Sequence, residues 1–409
     1  MPVRIAARYL LPIDAPPIER GVIEIDDAGA ILAVRPHAVG EEVTDLGEVA
    51  ILPAMINAHT HLEFSLLEAP LGQPRMVFGN WIAEVVAHRR ARGASGVDLA
   101  AEKESALEVG LRDSAAYGVA AVGEIATHPF PFAPFASRAT ESPRVDAHLF
   151  LELLGLSADR VAPLLELAEA HLQQGDRQAL RGLSPHAPYT VHPDLLTGAI
   201  GLSKKYEATL AMHLAESWDE LELLTSHSGP MVDTLRSLGA WNPSAIPRGV
   251  TFQSYLEQLA QAHRALVIHG NLLTTSDYAI LAQHKQMWVV YCPRTQSYFP
   301  HGNYPLAEML ASGVQVTVGT DSRASTPSLS VWEELQHIAA MHEKVPASTI
   351  LRLGTIEAAR ALGLDSRLGS ITPGKLAKFV AVPISETPHD HEDLYELALQ
   401  QQPTIVGSW

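Results

Sequence analysis

Leu52-Pro53-Ala54-Met55-Ile56-Asn57-Ala58-His59-Thr60-His61-Leu62-Glu63 decides the reading of this 409-residue chain. An apolar, strand-like run from Val49 to Leu52 leads into two histidines spaced His-x-His. On an extended strand, residues i and i+2 point to the same face. His59 and His61 can therefore aim two imidazoles at one point, as binding of a divalent metal requires. The spacing alone is a weak signal, and the chain carries its own control. His389 and His391 share it inside Pro388-His389-Asp390-His391-Glu392-Asp393, an acidic polar stretch with no strand before it. That second pair reads as a solvated loop.

Three more segments follow one grammar, an apolar strand with a ligand-type residue where it stops. The run from Ala208 reaches His213, with Glu216 three residues on; the run from Arg264 reaches His269; the run from Gln315 reaches Asp321. In a (β/α)8 barrel the C-terminal strand ends converge on the active site. One such histidine is as readily a hydrogen-bonded core residue. Four strand ends, all bearing metal-compatible groups, point to a shared centre.

The rest of the chain alternates in the same sense. Residues 1 to about 50 read as short strands with turn signals, Asp26-Asp27-Ala28-Gly29 among them. From there to about residue 365, strands end near His61, Glu124, Glu152, His186, His213, His269, Cys292 and Asp321. Helix-like stretches lie between them, such as Leu99 to Tyr117, Ala158 to Gln174, Pro193 to Tyr206 and Tyr278 to His284. Strand then helix, repeated eight times, argues for a closed parallel barrel. An open doubly wound sheet also alternates, but no Gly-x-Gly-x-x-Gly turn follows the first strand. The expectation is an α/β fold: a (β/α)8 TIM barrel over residues 51–369, with a small β-sandwich domain built from residues 1–50 and 370–409.

The ordered set His59-x-His61, His213 with Glu216, His269 and Asp321 resembles the amidohydrolase superfamily. Within it the chain is similar to the single-metal deaminase and chlorohydrolase branch, which includes S-adenosylhomocysteine and aminodeoxyfutalosine deaminases. The resemblance covers nearly the whole chain. It extends to the stretch from Gly369 through Gly374 and Lys375 to Val382, where such chains leave the barrel; the family usually has Asp where this chain has Lys378. The resemblance implies one divalent metal held by His59, His61, His213 and Asp321. Zinc is the expected ion, and iron and manganese suit such donors too. Two-metal relatives bridge their ions with a lysine on the fourth strand, and the stretch Arg181 to His186 offers none.

The chemistry implied is attack of water on a cyclic amidine. A metal lowers the pKa of water from 15.7 to about 7. Asp321 would accept the water proton, His269 would hydrogen-bond the same water, and Glu216 would shuttle protons to the ring nitrogen and the departing ammonia. Chloride leaves without a proton, so the acid at Glu216 favours a deaminase over a chlorohydrolase. Neighbouring Asp219, Glu220 and Glu222 read as exposed acids at a helix start. A binding protein that merely kept the barrel would not need so complete a set.

Substrate contacts are expected from His186, Arg294, Glu63 and Trp81. His186 sits in a segment similar to the family's fourth strand, where a histidine often touches substrate. Arg294 lies in Cys292-Pro293-Arg294-Thr295-Gln296-Ser297-Tyr298-Phe299, where many relatives have Ser-Asn after Cys-Pro. Its fork can bind a carboxylate bidentately or pair with a local acid. The pattern is similar to aminodeoxyfutalosine deaminases, whose substrate couples an adenine to a benzoate. Glu63 could bind a ribose hydroxyl or cap its loop. Trp81, with Phe78, could stack on a base or fill the loop's core. The leading substrate is 6-amino-6-deoxyfutalosine, an intermediate of menaquinone biosynthesis. Alternatives are other aminohydrolase substrates (S-adenosylhomocysteine, adenosine, cytosine, guanine), a chlorotriazine and a cyclic amide.

Composition bounds the partners. The net charge is −17, with no basic run, which argues against a nucleic-acid groove. Hydrophobic residues make up 47% and charged residues 18%, enough for a large core. Cys292 is the single cysteine, so no intrachain disulfide forms. No apolar run of about 18 residues suggests a membrane span, and the N-terminus lacks an h-region. The expectation is a cytoplasmic enzyme with a small-molecule substrate, compatible with a homodimer.

Overall fold

The apolar run leading into His59 is two strands rather than one. Val49–Pro53 pairs antiparallel with Phe379–Pro383 and parallel with Val3–Leu10, in a sheet made from both ends of the chain. Pro53 has no N–H to carry that ladder further. After Ala54 the chain starts again as the first barrel strand. The computed structural model describes residues 2–94, 98–135, 144–174 and 179–407; Met1 and residues 408 and 409, at the outer ends of the expected domains, lie outside the described residues.

Eight parallel strands form the barrel: β1 (Met55–Thr60), β2 (Val119–Ala126), β3 (Asp146–Leu153), β4 (Ala179–Pro185), β5 (Thr209–Leu214), β6 (Arg264–His269), β7 (Met287–Tyr291) and β8 (Val316–Val318). Each is hydrogen-bonded to its neighbour in chain order. β1, β2, β3 and β5 are buried at every residue. That is the signature of strands covered on both faces, by barrel interior and by outer helices. Of the helices read from the sequence, Pro193–Tyr206 has the expected ends, and Leu99–Ala116, Val161–Gln173 and Thr275–Gln283 are present with shifted ends.

β8 meets β1 to close the ring, and this seam builds the active end. Thr60 and Asp321 form a parallel bridge, and Asp321 N–H donates to His59 O at 3.1 Å. Asn57 Nδ2 donates to Thr320 Oγ1 (2.8 Å), and Thr320 N–H returns to Asn57 Oδ1 (3.0 Å). Gly319 permits the approach: a Cβ there would lie 2.8 Å from both Cβ and O of His59.

The expected terminal domain is hydrogen-bonded as one seven-stranded sheet. Its order is Thr404–Val406, Phe379–Pro383, Val49–Pro53, Val3–Leu10, Ile18–Ile25, Ile31–Pro36, with Thr44–Asp45 also on Val3–Leu10. Lys378 ties this sheet to the barrel floor. It is 8% exposed, and its Nζ donates to Arg144 O (2.6 Å) and lies 3.7 Å from Asp146 at the start of β3.

The control pair His389 and His391 is exposed, as read, but it is not wholly loop. His391 opens the helix His391–Leu399, capped by Asp390, which accepts the Asp393 N–H at 2.9 Å. An Asp at the N-cap with acids in the first turn is a helix start, a signal hidden by the polarity of the stretch. No helix among the described residues is long and apolar enough to cross a membrane.

Candidate metal centre and active site

His59 and His61 end β1, His213 ends β5, His269 ends β6, and Asp321 follows β8. The barrel brings them to one point. Ring centroids are 4.9 Å apart for His59 and His61, 5.0 Å for His59 and His213, and 5.5 Å for His213 and His269. Asp321 Oδ1 lies 3.7 Å from Nε2 of both His59 and His61. Two sets of donor atoms are close enough to share an ion, His59 with His61 and Asp321, and His59 with His213 and His269. All five side chains are buried.

The backbone is bent to reach this geometry. His269 and Asp321 stand at φ +72° and +59°, and Ala215 between His213 and Glu216 at +57°. Side chains other than glycine seldom adopt that region, and its strain concentrates at functional sites.

The chemical state of the donors suits a cation. Burial, then neighbouring imidazoles, pushes His213 well below its ordinary pKa. Burial is also the main cause that takes His61 and His269 down to about 3. These rings are neutral and offer lone pairs. His213 Nδ1 faces the carbonyl of His186 at 3.0 Å. A carbonyl only accepts, so Nδ1 carries the hydrogen and Nε2 is left for the centre. Burial opposes the charge of Asp321, but the adjoining His59, His269 and His61 rings outweigh it and hold its carboxyl well below the usual carboxylate range. Both nitrogens of His59, and Nδ1 of His61 and His269, are buried without a hydrogen-bond partner among the described residues. A buried nitrogen without a partner is costly unless something fills the gap; His59 Nε2 is such an atom and faces Asp321 Oδ1 together with His61 Nε2, an arrangement that a divalent cation fits.

Glu216 stands 3.3 Å, through Oε1, from His269 Nε2 and is 6% exposed. Burial, then the nearby Asp321 and Glu220 carboxyls, raises its pKa well above its ordinary value. A carboxyl so raised holds its proton more readily than a free one, which suits it to give a proton. Its backbone is locked. Glu220 accepts the N–H of Glu216 (2.8 Å) and of Ala215 (3.3 Å), Ser217 Oγ accepts the N–H of Glu220 (3.2 Å), and Asn271 Nδ2 donates to Glu216 O (2.8 Å). Glu220 was expected to be a solvated helix-start acid. It is fully buried, and burial lifts it to about 8 against the backbone N–H groups of Glu216, Ala215 and Ser217. Its position, three residues past the N-cap Ser217, was the available signal.

Glu124 at the end of β2 also escaped the sequence reading. Both its oxygens accept the Leu62 N–H, at 3.1 and 2.9 Å, directly behind His61.

The expected substrate contacts divide. Glu63 is buried beside Arg89, which donates to Oε1, with Thr127 Oγ1 at 3.1 Å and Lys103 Nζ 3.7 Å from Oε2. Burial pushes its carboxyl up, but Arg89 and Lys103 outweigh this and hold it below its ordinary value. His186 is made neutral chiefly by burial. Thr190 gives its hydroxyl hydrogen to Ala187 O (3.1 Å), so His186 Nδ1–H donates to Thr190 Oγ1 (2.7 Å). Its Nε2 is left an acceptor, 3.9 Å from Glu152.

Trp81 and Arg294 are engaged elsewhere. Trp81 is 7% exposed, stacked on Phe78 with Phe299 edge-on, and its N–H donates to Ala324 O at 3.3 Å. It fills the loop's core rather than presenting a free face. Arg294 has all five donors committed. Nε reaches Glu334 (2.7 Å), Nη1 reaches Ser328 Oγ (3.0 Å) and Glu333, and Nη2 reaches the carbonyls of Ser328 (2.9 Å) and Ser330 (3.3 Å). All of these bonds lie within the chain, so contact with a ligand carboxylate would require one of them to be exchanged. The pairing with local acids won because Glu334, fully buried, requires a partner.

The chain is similar to several characterised proteins. It is 28% identical to the 5-methylthioadenosine/S-adenosylhomocysteine deaminase of Moorella thermoacetica, across 93% of this chain and 85% of that protein. It is 29% identical to the aminodeoxyfutalosine deaminase of Deinococcus radiodurans, across 80% and 76%. The crystal structure of Helicobacter pylori aminofutalosine deaminase shares the fold with a TM-score of 0.83, at 22% identity, over 100% of this chain and 98% of that one. A sequence model of the Amidohydrolase family matches residues 50–409, which takes in every residue of the centre described above: the chain belongs to the amidohydrolase family.

Proposed function

We propose that the chain is a metal-dependent hydrolytic deaminase of an adenine-like nucleoside, with 6-amino-6-deoxyfutalosine as its leading substrate. Membership of the amidohydrolase family makes it a hydrolytic enzyme of C–N bonds. The observation that carries the deaminase reading is Glu216, a buried carboxyl whose pKa is raised by that burial, 3.3 Å from His269 beside the metal-type centre. Ammonia is a poor leaving group until it is protonated, and this acid stands where a proton is needed.

His59, His61, His213 and Asp321 would hold a divalent ion, zinc by the chemistry of three imidazoles and one carboxylate. The ion, when bound, supplies Lewis acidity that brings the pKa of water to about 7. The protein groups do the rest. Asp321, ionised, takes the proton of the attacking water. His269 hydrogen-bonds that water. Glu216 protonates the ring nitrogen of the amidine, regains a proton from the hydroxyl added at carbon, and passes it to the departing ammonia. His186 Nε2 and the Glu63 carboxylate offer acceptors for sugar hydroxyls and N–H groups of the substrate.

The substrate within this class follows from the likeness to aminodeoxyfutalosine deaminase. Arg294 no longer supports it. A cation on the Glu63 side of the mouth is Arg89, which lies over the Phe64 ring with its Nε unpartnered among the described residues. The similar likeness to 5-methylthioadenosine/S-adenosylhomocysteine deaminase, together with the commitment of Arg294, supports a second reading in which those nucleosides are deaminated.

Ammonia release by zinc-loaded protein decides between them, with aminodeoxyfutalosine, S-adenosylhomocysteine, 5′-methylthioadenosine, adenosine, cytosine and guanine as substrates. Turnover of aminodeoxyfutalosine well above the others supports the first reading. Preference for the thioether nucleosides supports the second. Ammonia from none of them refutes the deaminase reading.

A further inference from the structure

We infer that Thr295 and Ser325 are positioning residues that fix the carboxylate of Asp321 by a two-hydroxyl relay. Ser325 Oγ lies 3.0 Å from Asp321 Oδ2, and Thr295 Oγ1 lies 2.9 Å from Ser325 Oγ. Thr295 is 2% exposed and Ser325 1%, so the relay is closed to solvent. Its polarity follows from hydrogen counting. Ser325 Oγ has two acceptors in reach, Asp321 Oδ2 at 3.0 Å and the Ser322 carbonyl at 3.3 Å, and its single hydrogen goes to the nearer, charged carboxylate. Thr295 must then donate to Ser325. Each bond polarises the next.

The relay acts on the oxygen that does not face the imidazoles. Oδ1 is the atom 3.7 Å from both His59 and His61. Holding Oδ2 fixes the rotation of the carboxylate and keeps Oδ1 on the metal position. A residue at φ +59° on the ring-closing seam needs such support.

The relay is itself anchored. Thr295 lies in the short helix Pro293–Tyr298 after β7, and Ser325 in the loop after β8. Arg294 binds Ser328, Ser330, Glu333 and Glu334, so it staples that helix to the far end of the same loop. The adjacent residues Arg294 and Thr295 thus do one job. The first fixes the loop, and the second feeds a hydrogen bond through it to Asp321.

The inference rests on the reading of Asp321 as metal ligand and base, and the test separates the two. Thr295→Val, Ser325→Ala, Thr295→Ser and Asp321→Asn are compared with the parent. Zn2+ affinity is measured by chelator competition, and the visible absorption of the Co2+-substituted protein is recorded; neither needs a substrate. On the best nucleoside of the panel above, kcat and KM are measured separately. Loss of an outer partner of a metal ligand costs about 10- to 100-fold in metal affinity or activity. Thr295→Val and Ser325→Ala should show that loss in Zn2+ affinity or kcat, an altered Co2+ spectrum and an unchanged KM. Thr295→Ser, which restores the hydroxyl, should recover the parent values. Parent-like affinity, spectrum and kcat in Thr295→Val and Ser325→Ala, with Asp321→Asn inactive, overturn the relay alone. A Thr295→Ser variant as impaired as Thr295→Val also overturns it, since packing and not the hydroxyl would then matter. Full Zn2+ affinity and activity in Asp321→Asn overturn the underlying reading of Asp321.

Discussion

Glu220 accepts the backbone N–H of Glu216 at 2.8 Å, and its own N–H is held by Ser217 Oγ at 3.2 Å. One buried acid thus fixes the backbone of another. The turn after β5 is therefore built to present the buried Glu216 carboxyl beside His269.

Replacing that carboxyl isolates its role as acid. Glu216→Gln keeps the size and removes the proton donor. Deaminase activity should fall by about 10²–10⁴, the usual worth of a general acid, while one metal per chain is retained. Metal analysis alongside steady-state rates checks it; loss of metal with the activity would make Glu216 a structural support of the centre.

Glu220 makes a signed prediction about pH. Its pKa rises from 4.5 to about 8 on folding, chiefly through burial. Between those values the folded chain keeps a proton that the unfolded chain has lost, so this group withdraws stability as pH rises. Glu220→Gln lacks that penalty. The variant should therefore gain on the parent as pH moves from 5 to 8, in denaturant midpoints measured at both. A variant that keeps level with the parent over that range would place an ionised Glu220 in the folded chain.

Arg294→Ala should damage the fold and not the recognition of an anion. It leaves the fully buried Glu334 without its cation. Breaking a buried pair from one side costs about 3–5 kcal/mol. Thermal melts should show that loss, and KM should change alike for aminodeoxyfutalosine and adenosine. A KM increase confined to the carboxylated substrate would restore Arg294 as a ligand-binding residue.

Gly319→Ala strikes the seam of the barrel. The added Cβ would meet His59 backbone atoms at 2.8 and 2.9 Å, which cannot swing aside as a side chain would. Overpacking costs about 1–3 kcal/mol, and here the displaced residue is an expected metal ligand. Lower thermal stability together with weaker Zn2+ binding is the expected pair of results, read by melting and chelator competition.

Removing the metal should abolish activity and lower the melting temperature. A ligand present at 100 times its Kd adds about 2.7 kcal/mol to folding. Dialysis against a chelator, then melts with and without added Zn2+, reads the difference. Identical melts in both states would mean that the imidazoles of His59, His61 and His269 hold no ion.

The barrel was legible because its signal is local and repeated. Eight apolar runs, each interrupted by a helical stretch, need no knowledge of contacts, and buried parallel strands are continuous apolar runs for a simple reason: both faces are covered. His59, His61, His213, His269 and Asp321 were legible because each stands where such a run stops, and a barrel sends all those ends to one mouth. Residue type and position along the chain were enough.

What the tertiary structure decided was the partner of each remaining polar side chain. Arg294 and Glu220 show why. Arg294 has the same fork whether it meets a substrate or Glu334, forty residues away, and the fold placed it against Glu334. Glu220 is one acid in a run of four, and only the turn of its helix carries it inward while Trp218 remains 58% exposed. The break after Pro53 and the meeting of Thr295 with Ser325 are of the same kind. The sequence by itself determined the alternation of elements and the histidines and aspartate at the strand ends, because hydrophobic periodicity is written residue by residue. Burial, pairing and protonation were settled by tertiary structure, because each depends on atoms that distant segments bring within about 3 Å, the reach of a hydrogen bond.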